Sequence, residues 1–161
     1  MIWHLSHRAD PAAVSIADRH YNRQKPGTPQ FVPPGRCLVL LGNDALWVTS
    51  WPYAEYVKHA WAGAWINSLF RNEGDSLSSD LIRQAVAVTR WFWQPPPLGL
   101  VTFVDAGKIR STNPGYCYLK AGFRRVGHTR GGLLALQLLP DEMPQPEPPV
   151  GVQLPLMEMV A

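Results

Sequence analysis

Side chains able to move protons or hold a reacting group fall in four short stretches of this 161-residue chain. His20-Tyr21 precedes a polar loop, Arg71-Asn72-Glu73 follows an apolar run, Asp105 follows LVTFV, and Tyr116 and Tyr118 lie in NPGYCYLKAGF. Imidazole, phenolate and carboxylate groups can carry protons and are also ligands for iron. His20, Tyr21 and Asp105 are therefore candidates to line a reaction centre. Glu73 is a candidate to take a proton from an attacking amine, and Arg71 to hold a phosphate or an acyl carbonyl. Tyr116 or Tyr118 would act as the acid or orient an acyl donor. Each has a plainer reading: His20 ends a helix, Tyr21 packs on a sheet, and the tyrosines pack a half-buried helix. Arg71 and Glu73 would then form a solvated pair worth under about 1 kcal/mol.

The elements that must position these groups follow from local pattern. Leu100–Val104 is β-branched and apolar throughout, which reads as a buried central strand ending at Asp105. Ligands of open α/β sheets sit beyond such carboxyl ends. Asn113 and Pro114 are helix-start residues, and Gly122 stops the short helix GYCYLKA before a strand opens at Phe123. Earlier in the chain, Met1–Leu5 reads as a strand, and Asp10-Pro11 opens a helix ending in Asp18-Arg19-His20-Tyr21. The loop from Asn22 to Arg36 is broken by proline and glycine. Cys37–Leu41 and Ala45–Ser50 form a hairpin about Gly42-Asn43-Asp44, and Trp61–Arg71 is a further strand. Ser78 or Ser79 caps a long amphipathic helix closing at Trp91-Phe92-Trp93. Arg124–Thr129 and Leu133–Leu138 are the last strands. This order implies a mixed sheet with helices on both faces.

The length fits one domain over residues 1–139, followed by a proline-rich acidic arm over 140–161. That arm holds four acids and no Lys or Arg, leaving the body with 15 bases against 8 acids, a net of +7. Such a charge favours an anionic partner, a nucleic acid or a phosphorylated cofactor. No apolar run is long enough to span a bilayer, so no membrane partner is expected. Two distant cysteines without metal-ligand spacing read as reduced thiols of a cytoplasmic protein.

Asn113, Tyr118, Lys120, Gly122 and Phe123 form an N-x-x-x-x-Y-x-K-x-G-F pattern that resembles the last helix of the GNAT acyltransferase superfamily. There the tyrosine matching Tyr118 lies near the thioester sulfur of acetyl-CoA. The usual Q/R-x-x-G-x-G/A pyrophosphate loop is replaced by RNEGDSLSS, with Gly74 alone retained and acids at Glu73 and Asp75. That departure, with His20-Tyr21, FRNEG (Phe70 to Gly74), the serine-led helix, TFVD (Thr102 to Asp105) and GYCYLKAGF, resembles the Mom family of phage DNA-modification proteins. The resemblance runs from His20 to Gly132.

The resemblance implies a GNAT-like, mostly antiparallel mixed sheet flanked by helices on both faces. It further implies transfer of a methylcarbamoyl or acyl-type group to the exocyclic amine of adenine in double-stranded DNA, shielding phage DNA from host restriction. Acetyl-CoA or a related donor, and a ferrous ion on His20, Tyr21 and Asp105, would be the cofactors. Ser78, Ser79, Asn113 and Lys120 would contact the donor, and Asn72 the base edge. Phosphate contacts would come from Arg19, Arg23, Lys25, Arg36, Arg124, Arg125 and Arg130. Trp91 and Trp93 are candidates for stacking on a base or for the core. The alternatives are a general GNAT N-acetyltransferase acting on a small amine or protein, and a non-catalytic DNA-binding phage protein.

Overall fold

Cys37–Leu41 (β2) and Ala45–Ser50 (β3) are apolar along most of their length and buried on both faces, so they pair at the middle of a layered structure. In this computed structural model, which describes residues 1–108 and 113–152, they form an antiparallel hairpin from Leu41↔Leu46 to Cys37↔Ser50. His4–Leu5 (β1) adds to the outer side of β2. This strand is shorter than the expected Met1–Leu5, because Trp3 turns fully into the core and its indole N–H donates to the Leu81 carbonyl at 2.9 Å.

Trp65–Asn72 (β4) pairs antiparallel with β3, and Leu100–Val104 (β5) pairs parallel with β4. The expected start of β4 at Trp61 is displaced by a turn in which Ala64 N–H donates to the Trp61 carbonyl. Leu134–Leu138 (β7) follows antiparallel to β5, and Arg124–His128 (β6) forms the far edge. The order β1-β2-β3-β4-β5-β7-β6 makes a mixed seven-stranded sheet in which β4 and β5 are the one parallel pair among the described strands. A parallel pair needs a crossover, and the helix Ser78–Phe92 (α2) provides it.

Helices cover both faces. Pro11–Ala17 (α1) is capped by the Asp10 carboxylate, which accepts from Ala12 N–H at 3.0 Å. It lays Ala13, Ile16 and Ala17 on Val39, Leu46, Val48 and Leu69. It ends at Ala17, and Asp18 to Tyr21 continue as tight turns rather than helix. On the opposite face α2 packs Leu81, Ile82, Ala85 and Val86 against Trp47, Trp65 and Leu100, beside the short helix Tyr116–Lys120 (α3). Neither helix starts as expected. Leu77 occupies the α2 cap position, and Ser78 instead accepts from the Asn72 side-chain amide at 3.0 Å. Gly115, at φ +80°, precedes α3, whereas Gly122, at φ +103°, ends it. Trp93 packs against Trp51 and Trp65, which makes it a core residue; Trp91 is exposed.

The first part of the acidic arm belongs to the core. Met143 is buried, Glu147 N–H donates to the Ala87 carbonyl at 3.1 Å, and Val150 N–H to the Trp3 carbonyl at 2.8 Å. No helix among the described residues is long and apolar enough to cross a membrane.

Two irregularities open the sheet. Val48 faces Leu69 while Thr49 faces Asn67, so Ser68 is an extra residue in β4, a β-bulge. The bulge shifts the alternation of side chains: Trp65 and Phe70 pack on the α2 face and Leu69 on the α1 face. Pairing of β4 with β5 stops at Asn67↔Thr102, and beyond that point the two strands part. Their shared start is anchored at Gly99, whose carbonyl accepts from Trp65 N–H at 2.9 Å. Gly99 has φ +67°, and a Cβ there would stand 2.1 Å from the Leu138 carbonyl oxygen. Gly99→Ala is therefore expected to lower the unfolding free energy by about 3 kcal/mol or more, read from the midpoint of urea denaturation.

Candidate functional site

Where β4 and β5 diverge, a cleft of about 410 Å³ opens between their carboxyl ends, α3 and the turn after α1. Its floor is polar. Tyr118, 8% exposed, donates its hydroxyl to Asn67 Oδ1 at 2.6 Å, and the Thr102 hydroxyl lies 3.2 Å from the same oxygen. Phe70 and Phe123 meet the Tyr118 ring edge-on at 6.2 and 5.2 Å. Burial pushes the Tyr118 phenol far above the usual tyrosine range, so it is neutral throughout the working pH range.

The rim comes from the turn after α1. The His20 and Tyr21 rings stack at 4.4 Å. Asn22 links this turn to the bulge: its Nδ2 donates to the Ser68 carbonyl at 3.2 Å, which turns its Oδ1 toward His20 Nδ1 at 2.6 Å. Burial lowers the His20 pKa from the ordinary histidine value, and the Arg71 charge adds to this, against the opposing effect of the Asn22 hydrogen bond. A neutral imidazole at neutral pH suits a proton acceptor. Burial raises the Tyr21 pKa, and a hydrogen bond from the Asp105 backbone partly offsets it.

Seven candidate residues, His20, Tyr21, Asn72, Ser78, Asn113, Tyr116 and Tyr118, line this one cleft. Asp105 lines a neighbouring groove of about 400 Å³ that shares Tyr21, Asn22, Asn67 and Ser68 with it. Arg71, Glu73, Ser79 and Lys120 line neither. Glu73 is clamped by two arginines: Arg19 bonds both carboxylate oxygens, at 2.6 and 2.7 Å, and Arg71 bonds one at 2.7 Å. The Arg19 and Arg71 bonds hold its pKa down to about 2, which removes the base strength the sequence reading assigned to it. Lys120 sits over the Tyr116 ring at 5.8 Å.

The basic set is largely engaged within the fold. The Arg23 side chain is 4% exposed and bonds Asp18 at 2.8 Å, so it is a structural residue and is withdrawn from the phosphate contacts. Arg36 lies over Trp51 at 4.4 Å. Arg124 pairs with Glu142, and Arg125 donates to the Asn113 side chain. Lys25 and Arg130 are exposed.

Neither expected cofactor fits well. The Tyr21 ring stacks on His20, its hydroxyl is met by the Asp105 backbone, and His20 Nδ1 is taken by Asn22. Among the described residues no group of three His, Cys, Asp or Glu stands in ligating range. In the loop before α2, Glu73 N–H donates to the Asp44 carbonyl at 2.7 Å and Gly74 N–H to Asn72 Oδ1 at 3.0 Å. These are backbone donors that a pyrophosphate would need, and Asp44 and Asp75 line the hollow beside them.

The sequence reading missed Asn22, Asn67, Ser68 and Thr102. Asn67 and Thr102 did carry a signal: each is a polar residue at an otherwise apolar, buried strand position. Comparison with family models, with curated proteins and with solved structures finds no match for this chain. What stands on the coordinates is a mixed α/β fold with a cleft at the parting of its parallel strands.

Glu73 titrates lower in the folded chain than its ordinary value of 4.5, so its stabilising contribution is complete above that pH. It is lost as pH falls from about 4.5 toward about 2. Glu73→Gln is expected to lose less stability than the wild type over that interval, measured by thermal unfolding at successive pH values.

Proposed function

We propose that the protein is a DNA-modifying transferase of the Mom kind, with a GNAT-like fold. It adds a methylcarbamoyl or acyl-type group to the exocyclic amine of adenine. The observation that carries this reading is convergence: residues 20–22, 67–72 and 113–118, far apart in sequence, surround one cleft where β4 and β5 part. The element order also matches the order that the family resemblance implies. A volume of about 410 Å³ accommodates a nucleobase, and Tyr21, Phe70 and Phe103 offer aromatic faces for it. An adenine amine lies within the duplex stack, so the base must be extruded to enter.

In the reaction the adenine nitrogen attacks the carbonyl carbon of an activated acyl or carbamoyl donor. The N–C bond forms, the bond to the leaving group breaks, and the leaving group departs with its electron pair. The nitrogen loses its proton to neutral His20. Tyr118, fixed as a neutral phenol, orients the reactants. The occupied backbone donors and acids of the loop before α2 favour a donor held by contacts other than a CoA pyrophosphate.

Nucleosides from DNA of cells expressing the protein should contain an adenosine derivative of increased mass, and His20→Ala should reduce it by about 10²- to 10⁴-fold. Unmodified nucleosides together with acetylation of a small amine would replace this reading with that of a general acetyltransferase. Duplex binding by Arg19, Lys25, Arg36, Arg124, Arg125 and Arg130 should weaken steeply as salt rises. Salt-independent binding would remove DNA as the partner.

A further inference from the structure

The side-chain amide of Asn67, 3% exposed, lies at the floor of the cleft. Its Nδ2 donates to the Val48 carbonyl at 3.0 Å and the Leu69 carbonyl at 2.9 Å, the groups on either side of the Ser68 bulge. Its Oδ1 receives Tyr118 at 2.6 Å and faces Thr102 at 3.2 Å. One amide thus touches β3, β4, β5 and α3, with both N–H groups committed to carbonyls and its oxygen facing two hydroxyls.

We infer that Asn67 is the positioning residue of Tyr118, and that the cleft floor it creates accepts a hydrogen bond from an N–H of the ligand. The direction of the amide is forced. Two backbone carbonyls can be met by the NH₂ end alone, so Oδ1 must point at the two hydroxyls. Each hydroxyl has one hydrogen. Tyr118 commits its hydrogen to Oδ1, and Thr102 commits its own to Oδ1, to the Asn67 backbone carbonyl, also 3.2 Å away, or to the Tyr118 oxygen beside it. Neither hydroxyl keeps a hydrogen for the cleft that both line, whereas the Thr102 oxygen keeps its lone pairs. An amine or amide N–H satisfies such a floor, and a carbonyl oxygen in its place meets lone pairs and no donor. This rests on the proposed function insofar as the adenine amine is the N–H in question.

The test uses full-length protein labelled with ¹³Cζ-tyrosine, the Tyr118 resonance being identified by its absence in Tyr118→Phe. Asn67→Leu should move that resonance, and Asn67→Gln, which keeps an amide oxygen for the phenol and an NH₂ group for the two carbonyls, should restore most of it. Modification of cellular DNA should fall about 10²-fold in Asn67→Leu, the cost of misplacing a reacting group by about 1 Å. The double variant with Tyr118→Phe should lose no more than the larger single loss. Free 2′-deoxyadenosine should shift the resonance, and N6,N6-dimethyl-2′-deoxyadenosine, which has no N–H on that nitrogen, should not.

A resonance indifferent to Asn67, additive losses, or equal shifts from both nucleosides would overturn the inference. If Asn67→Leu does not fold, Asn67→Gln decides: a resonance displaced from its wild-type position overturns it, and a retained one supports it. A wild type that leaves DNA unmodified, while its Tyr118 resonance still answers to Asn67, ends the functional reading and not the positioning role.

Discussion

The bonds between the Asn67 amide and the carbonyls of Val48 and Leu69 are the constraint on which the rest of the site depends. An extra residue in a central strand breaks the ladder and leaves backbone polar groups offset, and leaving such groups unpaired inside a protein costs on the order of 1–3 kcal/mol each. Asn67 closes that gap from within the same strand. With the bulge held, β4 bends from β5 after Asn67↔Thr102, Phe70 comes to the α2 face, and space appears between two strands that would otherwise pair to their ends. The opening is therefore a property of the folded backbone and does not require a ligand to create it.

Charge is distributed so that the cleft itself is weakly charged. Glu73 gathers Arg19 and Arg71 outside it, tying the turn after α1 to the end of β4. All three side chains are partly exposed, so the network contributes modestly to stability, and its main effect is geometric. It fixes the approach of His20 to the strand ends. The cavity proper is lined by amides, hydroxyls and aromatic rings, a surface suited to a flat, uncharged, hydrogen-bonding group.

Strands β2, β3 and β5 and helix α2 were legible because burial on both faces, or on one broad stripe, leaves an apolar pattern with its own period. The element order followed from them. Boundaries were less legible where tertiary contacts override local chemistry: Trp3 leaves β1 for the core, Leu77 holds the cap position expected of a serine, and Gly115 postpones the start of α3. His20, Tyr21 and Tyr118 were visible as chemistry-bearing types. Asn67 and Thr102 showed only as polar residues within strand-like runs, because the bulge and the strand separation that give them their importance leave no periodic trace. The Arg71–Glu73 pair was legible as the plainer reading of that stretch, whereas Arg19, far away in sequence, could not be known as a partner before the chain folds.

The arm that wraps α2 has a mechanical implication. Because residue 150 bonds Trp3 and residue 147 bonds Ala87 of α2, the start of the chain and the end of its described part are fastened over the core beneath α2. Peeling the arm away uncovers Met143 and loosens the strut beneath Trp3, so this segment and the α2 face open as one cooperative unit. The change in composition at Pro140 marks a change in solvent exposure along the chain, whereas the load-transmitting body of the fold extends past it.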